Sequence, residues 1–264
     1  MVSDVIRVFG WEFIILDITM CVIWIAFLIR KKYYLQFLFG IFGFIVVFLS
    51  DYVFWYKITG TREINHLPLG LTPLTFLLYF SFTYGMIEFS YVAVMFSAKN
   101  WRKMMYWTLF LYIGWFFIAF FPKVLPMNDT TISIVRHMSD ARWTQIGMVI
   151  GGYLLLIILK YTWKPFKSLT WKKLGYLILI GFAVHFAMEI SLLSAGIRPA
   201  SDILSVLLFN SLLEFNSGVP ILFIGWTLLK DKSISIGGET EQLILETTSI
   251  PTQTDETPNF TENK

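Results

Sequence analysis

Long apolar runs recur along the chain, separated by short polar segments. Runs close to the roughly 20 residues that cross a bilayer as a helix fall at 11–29, 33–56, 73–96, 104–121, 144–159, 174–197 and 203–229. The fifth is short and extends back toward Trp143. This pattern predicts an all-α, polytopic membrane protein of seven transmembrane helices. After Lys232 the pattern ends: residues 233–264 are rich in Thr and Glu and almost free of aromatics. Such a segment cannot bury enough apolar surface to order itself, so a disordered tail is expected beyond a transmembrane domain of residues 1–232. Its apolar patch QLILE is expected to be solvated rather than docked.

A faint repeat runs through the spans. GFIVVFLSD (43–51) and GFAVHFAME (181–189) share Gly, Phe, Val and Phe in register and both end in an acid. One span later IEFSYV (87–92) resembles LEFNSG (213–218). Asp51 thereby aligns with Glu189, and Glu88 with Glu214. Spans 1–3 and 5–7 run in the same direction, which gives a parallel 3+1+3 arrangement with span 4 as the linker.

Charge then fixes an orientation. Arg30, Lys31, Lys32, Lys99, Arg102, Lys103, Lys160, Lys164, Lys167, Lys172, Lys173, Lys230 and Lys232 follow the odd-numbered spans. The other side holds only Arg7, Lys57, Arg62, Lys123, Arg136, Arg142 and Arg198. Positive residues collect on the cytoplasmic side, so the N-terminus is expected outside and the C-terminus inside. The short basic clusters are explained by topology and give no reason to expect nucleic acid. Composition agrees with a membrane protein: 56% of residues are hydrophobic, 18% aromatic and only 15% charged, against roughly a quarter charged in soluble domains. The first apolar run holds Glu12 and Asp17 and ends in Arg30-Lys31-Lys32, which does not resemble a cleavable signal peptide. The single cysteine, Cys21, excludes an intrachain disulfide. Asn128-Asp129-Thr130 matches a glycosylation acceptor on the expected outer side. The plasma membrane and the endoplasmic reticulum both suit such a protein, and the sequence names no protein partner.

Five acids fall inside the spans: Asp17, Asp51, Glu88, Glu189 and Glu214. Measured along each helix they lie on the order of 9–22 Å from its outer end, in the outer half or near the midplane. An acid at a helix centre costs about 2.5–3.5 kcal/mol against lipid, so they are expected to face one another or a watery cavity. Ser81, Tyr84, Glu88 and Tyr91 form one helical stripe, as do Asn210, Glu214 and Ser217, while Asp51 and Trp55 share a face. Pro220 is expected to kink the last helix. His185 stands four residues from Glu189 and on its face. Every Lys and Arg lies in a loop or at a helix end, so His185 is the only cationic candidate at depth. With His66 and His137 in loops, no metal site is expected, and nothing in the sequence implies a cofactor.

Three functions remain open. In an acid–base enzyme, Glu214, Asp51, Glu189, His185 and Glu88 would handle protons. Asp17, Tyr84, Tyr91, Trp55 and Asn210 would line the substrate site, with aromatic faces to stabilise a cation on a hydrophobic small molecule taken from the membrane lipid. In a proton- or cation-coupled transporter the same acids would carry the coupling ion, although the Pro-Gln signature of carriers with a 3+1+3 layout is absent. A receptor or sensor would signal through the tail; a retinal-type pigment is disfavoured because the last span has no lysine at mid-membrane.

The seven-span layout, with acids at Asp51 in FLSDYVFWY and at Glu214 in SLLEFNSG, resembles the seven-helix integral-membrane terpene cyclases of meroterpenoid pathways. Where that family carries Trp-Glu in the second helix, this chain has Ser50-Asp51. The resemblance implies protonation of an isoprenoid epoxide or alkene by Asp51 and Glu214. The excess of buried acids over visible counter-charge tilts the sequence reading toward the enzyme.

Overall fold

The computed structural model describes residues 4–67, 70–98, 100–124, 131–137 and 141–230. Asn128 and the expected disordered tail 233–264 lie outside the described residues. In chain order the elements are β1 (Asp4–Phe9), α1 (Trp11–Arg30), α2 (Tyr34–Ile58), β2 (Arg62–Asn65), α3 (Pro73–Ser97) and α4 (Trp101–Val124). There follow β3 (Ile132–His137), α5 (Ala141–Thr162), α6 (Trp171–Ser194), α7 (Ile203–Leu213) and α8 (Val219–Lys230).

The six helices α1 to α6 are long and apolar enough to cross a membrane. The seventh apolar run, expected as one span, is instead two shorter helices separated by a turn at 214–218. The break precedes Pro220, which sits in the first turn of α8, where a missing N–H costs no helical bond. So Pro220 does not kink a continuous helix; it begins a new one.

Lipid-type exposure is written on the helix faces. Ile15, Ile18, Val22 and Ile23 on α1, and Ile150, Leu154 and Ile158 on α5, are exposed. Helix α3 is the opposite: from Phe76 to Phe96 nearly every side chain is buried, as expected of a helix apolar all round and enclosed by its neighbours. Its start is fixed by Thr72, whose hydroxyl accepts from the Thr75 N–H at 3.2 Å, with Pro73 following. On α1, Trp24 packs on Trp107 and Phe110 of α4 and donates its indole N–H to Ser90 of α3 at 2.8 Å.

A three-stranded antiparallel sheet of order β1-β3-β2 corrects the all-α expectation. Strand β3 pairs with both neighbours, with Arg7 opposite Ile134 and Arg62 opposite Arg136. Residues Val5, Arg7 and Phe9, Ile132, Ile134 and Arg136, and Arg62 and Ile64 therefore share one face, and this is the more buried face. Val8 also donates its N–H to the Ile197 carbonyl after α6 at 2.8 Å. The N-terminal segment and the connections after α2, α4 and α6 thus meet at one end of the bundle.

Candidate functional site

Under the sheet lies a cavity of about 300 Å³, at the small end of the range for small-molecule sites. Its position follows from a close approach of α2 and α3. A Cβ on Gly85 would strike the backbone of Gly43 and Phe44, and one on Gly43 would strike Phe89. Only glycine at these points lets the two helices touch. Beyond the contact, α2 widens into π turns over Leu49–Ile58, and that stretch carries Asp51 and Trp55 onto the cavity wall. Such turns cluster at functional sites.

Four helices and the break bring polar groups to the wall: Asp51 from α2, Tyr84 and Glu88 from α3, Gln145 from α5, His185 from α6, and Glu214 from the break between α7 and α8. The remaining wall is largely apolar, including Val46, Val47, Phe89, Met148, Phe215 and Leu222.

The acids are not short of counter-charge, contrary to the sequence expectation. The sheet lowers one arginine from each strand onto the bundle. Arg62 on β2 meets Asp51 at 2.9 Å, and Arg136 on β3 meets Glu214 at 2.5 Å. Arg7 on β1 approaches Glu189 at 3.8 Å and donates to the Tyr84 hydroxyl at 3.0 Å. Arg142, at the start of α5, meets Glu214 at 3.1 Å and also bonds Asn210 and Gln145. Arg198, from the α6–α7 connection, pairs with the fully buried Glu189. The expected His185–Glu189 pair forms at 3.1 Å. His185 is therefore not alone with the acids: five arginines stand at the same end.

Burial pulls the Arg62 and Arg198 guanidiniums down to about 10, against the pull of Asp51 and Glu189. For Arg7, burial acts downward as well, but Tyr84 and the surrounding acids outweigh it and hold the guanidinium above its ordinary value.

Glu88 differs from the other three acids. It is buried on the cavity wall and, among the described residues, takes part in no ion pair. Burying an unpaired charge is costly, so this is the one carboxyl here that can carry a proton without breaking a salt bridge.

Three residues expected at the substrate site lie off the cavity wall. Asp17 accepts from Thr83 at 2.6 Å and Tyr79 at 2.9 Å, and so ties α1 to α3. Tyr91 points to Thr108 of α4, with their hydroxyls 2.8 Å apart. Asn210 serves Arg142. Stripe members Ser81 and Tyr91 bracket Tyr84 and Glu88 in sequence, yet only the inner two reach the cavity. Glu189 also sits off the wall, behind His185. Among the described residues, no group of three or more His, Cys, Asp or Glu is arranged to hold a metal ion.

Sequence reasoning missed the arginines because it read them as loop charges. A signal was present. At the sheet end the seven cations comprise five arginines, Arg7, Arg62, Arg136, Arg142 and Arg198, and only the lysines Lys57 and Lys123. At the other end lysine dominates. Arginine is the residue suited to buried, multiply hydrogen-bonded ion pairs, so its segregation to one end marks the site.

No protein-family description, curated protein or solved structure matches the chain.

Proposed function

We propose that the chain is an intramembrane acid–base enzyme, cyclase- or isomerase-like, acting on an isoprenoid or similar lipid substrate in the cavity under the sheet. The observation that carries this reading is the convergence of Asp51, Glu88, Glu214 and His185 on one largely apolar cavity. The two acids implied by the cyclase resemblance are among them. Their roles differ from that expectation, because Asp51 and Glu214 are held in ion pairs by Arg62, Arg136 and Arg142.

The unpaired Glu88 is the proton donor. Its proton passes to an alkene carbon or epoxide oxygen, and the ring faces of Phe89 and Phe215 flank the cation that results. An ion-paired carboxylate, Asp51 or Glu214, then takes a proton from the carbon next to the cation. The product is an isomer of the substrate, and the proton is handed back to Glu88 across the polar wall. No oxidant or reductant is consumed.

The reading includes seven spans, the last one broken, with the N-terminus outside. The five arginines of the sheet end are engaged by the acids, which leaves Lys57 and Lys123 as the exposed lysine and arginine side chains there among the described residues. That supports the positive-inside assignment more strongly than the raw count. A parallel repeat is supported by matching contacts. Trp24 of α1 donates to Ser90 of α3, and Tyr153 of α5 donates to Asn216 in the break at 2.7 Å; Ser90 and Asn216 are aligned residues. Asp51 pairs with Arg62 and Glu189 with Arg198, each acid with the connection that follows it. Aligned Phe89 and Phe215 meet edge to face at 5.2 Å, as residues beside a pseudo-twofold axis do.

A transporter is the second reading, favoured by the helix break at 214–218 beside Glu214, since discontinuous helices build many transport sites. The deciding experiment incubates the purified protein with isoprenoid alkenes and epoxides and analyses products, alongside flux of the same compounds in proteoliposomes. Isomerised product that disappears in Glu88→Gln supports the enzyme. Flux of unchanged compound without product supports the transporter.

A further inference from the structure

We propose that the cavity recognises an amphiphile by its oxyanion head, a carboxylate or phosphate monoester, gripped by Arg7, Arg62 and Arg136. This names the substrate class of the site above and rests on the reading of that cavity as a binding site.

Three observations converge. First, the sheet presents one arginine per strand on a single face, and all three side chains reach the cavity wall. Second, Arg62 and Arg136 each spend Nη2 on an acid, and Arg7 Nη2 donates to Met188 Sδ at 3.6 Å with Glu189 at 3.8 Å, yet the Nε–H of each is buried with no acceptor among the described residues. Each of these donors is shut off from the cavity as it stands, and the cost of leaving them unpaired is relieved when the guanidiniums turn to meet ligand oxygens. The Tyr84 hydroxyl accepts from Arg7 and keeps its own proton to donate.

Third, the charge does not balance. Glu189 is approached by Arg7, Arg198 and His185, Glu214 by Arg136 and Arg142, and Asp51 by Arg62. Five arginines thus serve three paired acids, and Glu88 takes part in no pair. A neutral hydrocarbon would leave both the surplus charge and the orphan donors in place. An oxyanion answers both, because guanidinium groups match carboxylate and phosphate oxygens in geometry and in charge. The walls away from the arginines, Val46, Val47, Phe89 and Leu222 among them, suit the tail.

The test is ligand binding to the detergent-purified full chain, read by melting temperature and by calorimetric titration. The probes are a short prenyl monophosphate, the prenyl carboxylic acid of equal length, the matching alcohol, and inorganic phosphate. At least one oxyanion amphiphile is expected to bind about tenfold or more tightly than the alcohol and than inorganic phosphate. Which of the two binds more tightly identifies the head group. Arg7→Gln should weaken that binding by about tenfold or more, and the exposed Lys57→Gln should leave it unchanged. Should Arg7→Gln fail to fold, Arg136→Lys keeps the charge beside Glu214 but lacks the Nε–H, and carries the same expectation.

Equal binding of alcohol and acid, or an unchanged Kd in the folded arginine variant, overturns the proposal. Turnover of neutral isoprenoids with no oxyanion binding would sink this inference and spare the enzyme reading. Tight oxyanion binding with every compound returned unchanged would do the reverse.

Discussion

Arg62 and Arg136 are direct partners across the β2–β3 ladder, yet each reaches down to a different acid, Asp51 on α2 and Glu214 in the broken span. Two like charges opposite one another on a sheet repel. The arrangement is stable because each is neutralised from the bundle below. The sheet is therefore latched to the helices by charge, and the acids tolerate their depth because the sheet covers them.

Removing one side of such a latch exposes the cost. Arg62→Ala leaves Asp51 buried without its partner and should destabilise the protein by about 3–5 kcal/mol. Adding Asp51→Asn to Arg62→Ala removes both charges together, so the double variant should recover most of the loss relative to the parent. Denaturant unfolding in detergent measures all three. Equal losses in the single and double variants would mean that the pair contributes nothing as a pair.

The acids should separate by partner. Glu88→Gln breaks no ion pair, so its melting temperature should stay near that of the parent while product formation falls by at least about a hundredfold, as loss of a general acid implies. Glu214→Gln strands Arg136 and Arg142 and should lose stability as well as activity. Without the arginines in view, Glu189→Gln and Glu214→Gln are expected to spare folding; with them, the expectation reverses. Parallel melting curves and product analysis decide it, and a marked unfolding of Glu88→Gln would place that residue among the structural ones.

How much the sequence revealed follows from range. The helices were legible because each is a continuous apolar run with its signal inside one window. The four acids on or near the cavity, Asp51, Glu88, Glu189 and Glu214, were legible because depth makes them costly wherever they point, and the His185–Glu189 pair because both lie on one helix turn. The strands were harder. DVIRVF, REIN and ISIVRH are four to six residues long, and their partners lie more than 60 residues away in sequence between β2 and β3. Their inward arginines also break the apolar alternation that would have announced them. Tyr91 and Asp17 show the opposite limit: helical spacing identifies a polar face but not which neighbour it serves.

Close packing of α2 and α3 gives a sharper test of the fold. Gly85→Ala drives a methyl group into the backbone of Gly43 and Phe44, which cannot swing away as a side chain could. It should cost about 1–3 kcal/mol or more and disturb the cavity that Asp51 and Glu88 share. Gly151→Ala on α5 and Gly175→Ala on α6 meet nothing within 4 Å and should be neutral or slightly stabilising through helix propensity. Thermal stability of the three variants checks this; equal behaviour would contradict the close helix contact.

The sheet carries a pH dependence of its own. His137 faces Asp4 across the β1–β3 ladder at 3.0 Å and Glu63 of β2 at 3.5 Å. The hydrogen bond to Asp4 is the main cause that holds the imidazole above its ordinary 6.5, helped by Glu63 and opposed by slight desolvation. Because the folded state binds the proton more tightly, the contribution is fully present below 6.5 and is lost as pH rises through the folded value. Melting temperature should therefore fall relative to His137→Gln as pH is raised from about 6 to 8. The difference should shrink at high salt, since the groups are half exposed. A gap between the two proteins that stays constant across this range would show that the imidazole contributes by packing and not by charge.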